Sequence, residues 1–340
     1  MRIGLAGTGR IGTFHAATIL GLPDPPDLVV TDTVPEVAQR VAAEIGADYA
    51  PTLTDLFAAD LDGFVITTGT HTHAGLLRRG IAEGVPTFCE KPVAATLAET
   101  AELARLEQRS GVPVHIGFQR RFDAGYRRAH DAVHSGELGE IHQVRCATHD
   151  EFSPPEAFIA TSGGIFRDCS VHDFDALRFV TGREVETVYA TGGVKGERFF
   201  RDCGDVSTGA AVLTLDDGTV ALVSATRYNG GGHDVRMEVH GSAGALAVGF
   251  DDSYAFRSAE DGVTFPAGPP HHTFMDRFKA AYVAELTTFV ALARGEIETP
   301  CSITDGLQAF RIAEACELSR SEGRPVSMDE VPGRARPAYP

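Results

Sequence analysis

The 340-residue chain lacks several features that would place it in other classes of protein. No apolar run reaches the roughly 20 residues that a membrane-spanning helix needs. The chain opens on MRIGLAGTGR, which is a strand pattern and not the apolar segment of a signal peptide. We therefore expect a soluble, cytoplasmic protein.

Cysteine pairs and basic clusters are also missing. The six cysteines form no CxxC pair, and no histidine cluster has zinc spacing, which excludes a disulfide framework and a structural metal. The net charge is −17 and there is no basic run, so the chain does not suit a nucleic acid or an anionic membrane. With 43% hydrophobic residues and no internal repeat, the length suits two globular domains.

The first forty residues have the pattern of a dinucleotide-binding unit. A short buried strand is followed by GTGRIG, an apolar helical pattern and a second strand that ends at Asp32. In this context Gly7 permits a tight turn, Gly9 a close approach of pyrophosphate, and Gly12 close packing of the helix. The N-terminus of that helix would bind the phosphates.

Asp32 is the residue that selects the cofactor. A carboxylate accepts hydrogen bonds from both ribose hydroxyls of NAD but repels the 2′-phosphate of NADP. Thr33 follows, and no adjacent arginine is present to bind a phosphate. The pattern favours NAD over NADP, and the alternative is that Asp32 caps the helix beginning near Pro35.

Helices and strands then alternate as far as the strand Val114 to Gly117, which predicts a Rossmann-type, doubly wound parallel sheet. Ligands of such sheets bind beyond the carboxyl ends of the strands, where Thr67–His73 and Glu90–Pro92 are placed. His71 and His73 have no third ligand nearby, so we expect no metal.

After Phe118 the alternation stops, and long β-patterned runs dominate residues 141 to 249. We expect an NAD-binding Rossmann domain over residues 1–118. Residues 119–340 should form an α+β domain for substrate binding and oligomerisation, built on an open, largely antiparallel sheet. A large sheet of this kind is usually covered, so homo-oligomerisation through it is a hypothesis.

The stretch SGGIFRDCSVHDFDALRF, residues 162 to 179, combines an apolar helix with polar residues at regular spacing. At 100° per residue, Asp168, His172 and Asp175 share one narrow stripe. The stripe is expected to face a cleft or a buried network. Asp168 and His172 are either a catalytic pair or an ordinary i,i+4 pair on a helix surface.

Three motifs resemble the glucose-fructose oxidoreductase, inositol dehydrogenase and MocA family, and within it the inositol 2-dehydrogenases most closely. They are EKP (90–92), GFQRRFD (117–123) and GGIFRDCSVHDFDALRF (163–179). The resemblance implies that Lys91, Asp168 and His172 form the catalytic group, that a cis peptide precedes Pro92, and that subunits form tetramers through the open sheet. The cofactor contacts it implies are Gly7, Gly9, Arg10, Ile11, Asp32, Thr68, His73, Glu90, Lys91 and Gln119.

The expected substrate site includes both matches to the family and departures from it. The chain has Gln119 where the inositol branch usually has asparagine, and His233 where a tyrosine commonly contacts the cyclitol. Asp150 is a further plausible contact. The expected substrate-binding residues are Lys91, Arg121, His149, Asp168, His172 and His233.

These observations predict an NAD-dependent dehydrogenase that oxidises a secondary hydroxyl of a cyclitol, myo-inositol or a stereoisomer, to a ketone. Histidine is the usual base at neutral pH, which makes His172 the proton acceptor, and Lys91 would stabilise the developing alkoxide. The same chemistry on a pyranose or another polyol, or ketone reduction, remains open. So do cofactor-assisted glycoside hydrolysis and a catalytically silent, dinucleotide-binding regulator.

Overall fold

The structure, a computed structural model, describes residues 1–333, and its first part is a parallel sheet flanked by helices. The strands pair in parallel in the order β3-β2-β1-β4-β5-β6. This is the doubly wound sheet that the alternating pattern predicted. Its elements are β1 (Arg2–Ala6), α1 (Arg10–Leu20), β2 (Asp27–Thr31), α2 (Pro35–Ile45), β3 (Asp48–Tyr49), α3 (Leu53–Phe57), β4 (Gly63–Ile66), α4 (Thr70–Ala82), β5 (Thr87–Glu90), α5 (Leu97–Ser110) and β6 (Val114–Gly117).

The strand order reverses between β1 and β4, and this reversal sets the position of the cofactor site. The Gly7 amide donates to the carbonyl of Thr31 (2.9 Å), and the Thr67 amide donates to the carbonyl of Ala6 (2.9 Å). The loops after β1, β2 and β4 therefore lie side by side at the carboxyl edge of the sheet. In open α/β sheets this reversal is the place where ligands bind.

The second part of the chain carries a seven-stranded sheet in the order β12-β11-β7-β10-β9-β8-β13. Neighbouring strands are antiparallel except β7 and β10, which are parallel. The expected largely antiparallel sheet is confirmed. The elements are α6 (Ala124–His134), β7 (Ile141–His149), α7 (Glu156–Ser162), α8 (Val171–Thr181), β8 (Val185–Gly193), α9 (Phe199–Asp202), β9 (Thr208–Leu215), β10 (Val220–Thr226), β11 (Asp234–Gly241), β12 (Ala245–Val248), α10 (Phe274–Arg277), α11 (Lys279–Ala293), α12 (Ile303–Glu322) and β13 (Val326–Ser327).

The chain divides into two compact units that are not consecutive in sequence. Residues 1–122 and 280–307 form the first unit, and residues 123–279 and 308–333 form the second. This differs from the expected division after residue 118. The reason is α11, whose Leu286 and Phe289 are buried in one apolar cluster with Ile3 and Leu5. Burying each such side chain contributes about 1.5–3 kcal/mol. Residues 334–340 of the expected second domain lie outside the described residues.

One face of the second sheet is covered and the other is open to solvent. Helix α8 packs against β7 and α6, while β9 alternates between exposed and buried positions. On the open face, Tyr189, Val212 and Leu222 lie in one cross-strand row and are 46%, 42% and 36% exposed. This row gives the open face an apolar centre.

Candidate active site

The GTGRIG loop after β1 has the geometry that a dinucleotide requires. Gly7 has a φ of +98°, and a Cβ on Gly12 would lie 1.8 Å from the Gly7 carbonyl oxygen. A Cβ on Gly9 would meet no atom within 4 Å. Gly9 is the N-cap of α1 and has no side chain to cap it, so the first amides of Arg10 and Ile11 can donate to phosphate.

Asp32 follows β2 and accepts four hydrogen bonds. Its donors are the amides of Thr8 (2.7 Å) and Val34 (3.0 Å) and the hydroxyls of Thr8 (3.1 Å) and Thr33 (3.3 Å). Burial raises the pKa of the Asp32 carboxyl, but the hydrogen bonds lower it by more, so the net shift is downward. Asp32 does not cap α2, whose N-cap is Val34. An ionised carboxylate that accepts from hydroxyls fits a ribose diol.

The EKP motif begins at Glu90, the last residue of β5, and the Lys91–Pro92 peptide is cis, as the resemblance implied. His73, on α4, is almost fully buried and lies between two carbonyl groups. Its Nδ1 is 2.7 Å from the Pro92 oxygen, and its Nε2 is 3.1 Å from the Thr68 oxygen. Burial lowers the pKa of His73. His73 therefore ties the EKP loop to the loop after β4, which is a positioning role.

Glu90 contacts a buried histidine of α1. The Nε2 atom of His15 lies 2.6 Å from Glu90 Oε1, and His15 has no exposed surface. The rings of Tyr282 and Phe88 flank His15 with centroids 5.5 Å away. Sequence reasoning did not find this pair, because His15 reads as an ordinary helix residue.

Gln119 and Arg121 lie in the 3-10 turn Gln119–Phe122, and both are buried. Arg121 forms an ion pair with Asp305 (Nη2 to Oδ1, 3.1 Å) and donates through Nη1 to the Pro300 carbonyl (2.8 Å). These contacts anchor the turn to the first turn of α12 and to the segment before it. They give Arg121 a structural role within the first unit, and its expected contact with the substrate stays a prediction.

The segment with Asp168 and His172 is not one uniform helix. Gly163 and Gly164 have φ values of +82° and +102°, and a π-helical segment, Phe166–Ser170, leads directly into α8. The expected stripe assumed 100° per residue throughout, and this assumption is wrong for the step from Asp168 to His172, which starts in the wider π turn. Such π turns are frequent at functional sites.

Asp168 forms an ion pair with Arg227, a residue that the sequence analysis did not single out. Arg227 Nη2 donates to Asp168 Oδ2 (2.7 Å), and Nη1 donates to Asp150 Oδ2 (3.0 Å) and lies 2.9 Å from Cys169 Sγ. The side chain of Arg227 is only 3% exposed. We call Asp150, Asp168, Cys169, Arg227 and His233 the Arg227 cluster.

Strand register explains how the cluster forms. The parallel neighbours β7 and β10 pair His149 with Thr226, so the next residues, Asp150 and Arg227, emerge together at the same edge. Strand β11 is antiparallel to β7 and pairs Asp234 with His149, which places His233 at that edge too. The π-helical segment contacts β10 and supplies Asp168 and Cys169.

The two histidines of the expected substrate site have carboxylate neighbours. His233 Nδ1 lies 3.5 Å from Asp150 Oδ1, and His149 Nδ1 lies 3.2 Å from Asp234 Oδ2. His149 Nε2 contacts the hydroxyl of Ser224 (3.0 Å). The Nε2 atom of His233 is buried and has no hydrogen-bond partner in the part of the chain that the structure describes. The role of this atom as a ligand contact stays a prediction.

The tandem histidines 271 and 272 flank the same edge. The His271 carbonyl accepts from the His233 amide (2.7 Å), and His272 Nδ1 lies 2.8 Å from Glu151 Oε2.

Asp173 is buried and accepts from the Thr148 hydroxyl (2.8 Å), which is a packing contact between α8 and β7.

Two classes of feature are absent from residues 1–333. No group of three or more histidine, cysteine, aspartate or glutamate side chains there could hold a metal ion. Among the helices of these residues, none is both long enough and apolar enough to cross a membrane.

Two family models match the chain. The model described as the oxidoreductase family with an NAD-binding Rossmann fold matches residues 1–118, and the GFO/IDH/MocA C-terminal domain model matches residues 126–247. The inositol 2-dehydrogenase of Rhizobium meliloti (strain 1021) is 36% identical over 96% of this chain and 99% of its own length. The myo-inositol 2-dehydrogenase of Thermotoga maritima is 31% identical over 98% of this chain and all of its own length.

Solved structures of inositol dehydrogenases are also similar to this chain. A putative myo-inositol dehydrogenase from Sinorhizobium meliloti 1021 superposes with a TM-score of 0.88 at 34% identity, covering 96% of this chain and 99% of its own. The scyllo-inositol dehydrogenase of Lactobacillus casei, solved with NAD(H) and scyllo-inositol, has a TM-score of 0.85 at 27% identity, covering 97% and 99%.

Proposed function

The chain belongs to the GFO/IDH/MocA family of NAD-binding oxidoreductases, and we propose from this that it oxidises a secondary hydroxyl of a cyclitol, myo-inositol or a stereoisomer, to the ketone. The observation that supports this substrate class best is the buried polar edge of the second unit, where His149, His233 and Asp150 present several donors and acceptors. A polyol ring requires such a set, because each unpaired buried hydroxyl costs binding energy.

The first unit supplies the cofactor site. When bound, NAD accepts the hydride that leaves the hydroxyl-bearing carbon. The open backbone at Gly9 and the uncapped start of α1 would hold the pyrophosphate, and Asp32 would hold the adenosine ribose. Thr68, Glu90, Lys91 and Gln119 remain proposed contacts on the nicotinamide side.

His172 is the proposed base. It stands in the first turn of α8, directly after the π-helical segment with Asp168. A neutral imidazole accepts the hydroxyl proton as the carbon–hydrogen bond breaks, and a carboxylate such as Asp168 orients the imidazole or accepts from a second hydroxyl. Lys91 is proposed to stabilise the developing alkoxide with its positive charge.

His233 is the proposed substrate contact that is particular to this chain. Its Nδ1 faces Asp150, so the imidazole tautomer with the proton on Nδ1 leaves Nε2 as an acceptor for a substrate hydroxyl. A pocket with a buried histidine of this kind should discriminate strongly against a substrate that lacks the matching hydroxyl.

The exposed row on the second sheet supports a proposal about assembly. Tyr189, Val212 and Leu222 form a contiguous apolar centre on a sheet face, and faces of this kind mark protein–protein contacts. We propose that the protein forms a homo-oligomer, a tetramer as in the resemblance, through this face.

The test is NAD reduction followed at 340 nm with myo-, scyllo- and chiro-inositol, glucose, xylose and their deoxy analogues. We expect activity with an inositol, and a loss of about 10²–10⁴-fold in turnover for His172→Ala with NAD binding retained. His142→Ala, at an exposed position of β7, is the matched control and should keep the parental rate.

Other outcomes separate the alternatives. Activity on pyranoses alone would support the same reaction on a different class of substrate. Activity only from the ketone would indicate that the enzyme works as a ketone reductase. A parental rate in His172→Ala would remove that residue as the base. Tight NAD binding without turnover on any compound would favour the regulator.

A further inference from the structure

Arg227 lies between two carboxylates that come from different elements. It follows β10, Asp150 follows β7, and Asp168 belongs to the π-helical segment. Its Nη2 atom donates to Asp168 (2.7 Å), and its Nη1 atom donates to Asp150 (3.0 Å). The planar fork of an arginine can hold two acceptors in fixed positions, which the point charge of a lysine cannot do.

We propose that Arg227 is the positioning residue of the active site, which fixes Asp168 for catalysis and, through Asp150, orients His233 toward the substrate. Arg227 itself touches no reacting atom in this account. The inference rests on the proposed function in two respects, the catalytic role of Asp168 and the substrate contact of His233.

The arrangement of charge supports this role. Two carboxylates share one guanidinium, so the loss of Arg227 would leave two nearby negative charges in a poorly solvated place. Burial raises the pKa of Asp150, while the contact with His233 and the charge of Arg227 lower it by more. The two carboxylates and the neighbouring thiol hold the pKa of Arg227 far above its ordinary value, against the opposing effect of burial.

The titratable groups around these carboxylates come from several elements. Arg227 faces them from β10, His233 from the start of β11 and Cys169 from the π-helical segment. His271 adds a group beside His233, and its pKa is lowered by burial and by the charge of Arg277. Arg227 is the one member of the Arg227 cluster with a permanent positive charge.

The first test needs no substrate: the melting temperature of Arg227→Met and of the parent protein, both without ligand, from pH 5 to pH 8. In the parent, Asp150 contributes stability above its unfolded pKa that is lost as the pH falls through the lowered folded pKa. In Arg227→Met the two carboxylates lose the neighbouring positive charge that favours their ionised forms while burial still disfavours them, so the folded state takes up protons more readily than the unfolded state. The stability deficit of Arg227→Met should therefore be larger at pH 8 than at pH 5.

A matched control distinguishes a stability deficit caused by lost charge from one caused by lost packing. Arg178 is also buried and binds Glu184 through two hydrogen bonds, but Glu184 is 31% exposed, against 22% for Asp150 and 16% for Asp168, so water solvates it better. The deficit of Arg178→Met should vary little with pH. A deficit of Arg227→Met that is equally independent of pH would reduce Arg227 to a packing residue and overturn the proposal.

The second test is kinetic. Arg227→Lys keeps the positive charge but loses the planar guanidinium fork, so we expect kcat to fall about 10-fold. The acid limb of the pH profile of kcat/KM should stay in its parental position. In Arg227→Met that limb should also move to higher pH and steepen from one proton toward two. A parental kcat in both variants, while His172→Ala is inactive, would refute the inference and leave the proposed function standing. A fully active His172→Ala would count only against the role of His172 as the base.

Discussion

Replacing Asp32 by serine should change the cofactor preference of the enzyme. Two unit charges 4 Å apart interact by about 4 kcal/mol at an effective dielectric constant of about 20. Asp32 is partly exposed, so water and salt reduce its repulsion of a 2′-phosphate to about 2 kcal/mol. In Asp32→Ser, NAD loses its hydrogen bonds to a charged acceptor, which weakens its binding by about 2 kcal/mol.

The two effects act in the same direction on the ratio of kcat/KM for NAD to that for NADP. Together they amount to about 4 kcal/mol, so the ratio in Asp32→Ser should fall about 10³-fold. The assay is initial-rate kinetics with each dinucleotide at a fixed saturating inositol concentration. Because ionic screening contributes, the ratio should also be less sensitive to salt in the variant than in the parent.

Asp27→Ser is the control for this experiment. It makes the same substitution at the opposite, exposed end of β2 and changes the net charge by the same amount. Its cofactor ratio should match that of the parent. A ratio in Asp32→Ser that stays within about threefold of the parental value would refute the assignment of Asp32 as the selecting residue.

Two further predictions concern the cofactor loop and the open sheet face. Gly12→Ala places a Cβ 1.8 Å from the Gly7 carbonyl, so it should destabilise the protein by about 1–3 kcal/mol in urea unfolding and weaken NAD binding. Gly75→Ala, in α4 where a Cβ meets nothing within 4 Å, should be neutral or stabilising, and equal effects of both would contradict the reasoning. Val212→Glu should lower the particle mass in light scattering, while Val263→Glu, exposed but outside the sheet, should not. An unchanged mass in Val212→Glu would place the interface elsewhere.

The Rossmann part of the fold could be predicted because its signals are local. The GTGRIG loop, the strand ending at Asp32 and the alternation of elements each occupy a few consecutive residues, and the structure forms the parallel sheet they indicate. The membership of α11 in the first unit could not be read in this way. Its apolar residues show that the helix is buried but not which core it joins.

The same limit applies to the candidate site. Asp168 and His172 could be proposed from the sequence because they stand in one short motif, whereas Arg227 comes near Asp168 through strand pairing, which no short motif reveals. A single arginine at a strand end carries no signal of its own in the sequence. The π-helical segment was missed because a periodicity analysis assumes one pitch for the whole helix.

The central claim is that this chain transfers a hydride from an inositol carbon to NAD, and label transfer tests it most directly. Inositols deuterated at every ring carbon would be incubated with NAD and the enzyme, and the reduced nicotinamide and the cyclic ketone would be analysed by NMR and mass spectrometry. The account predicts one deuterium on the reduced nicotinamide for each ketone formed, and a slower reaction than with unlabelled inositol. Tight NAD binding with neither label transfer nor ketone from any inositol isomer would contradict it.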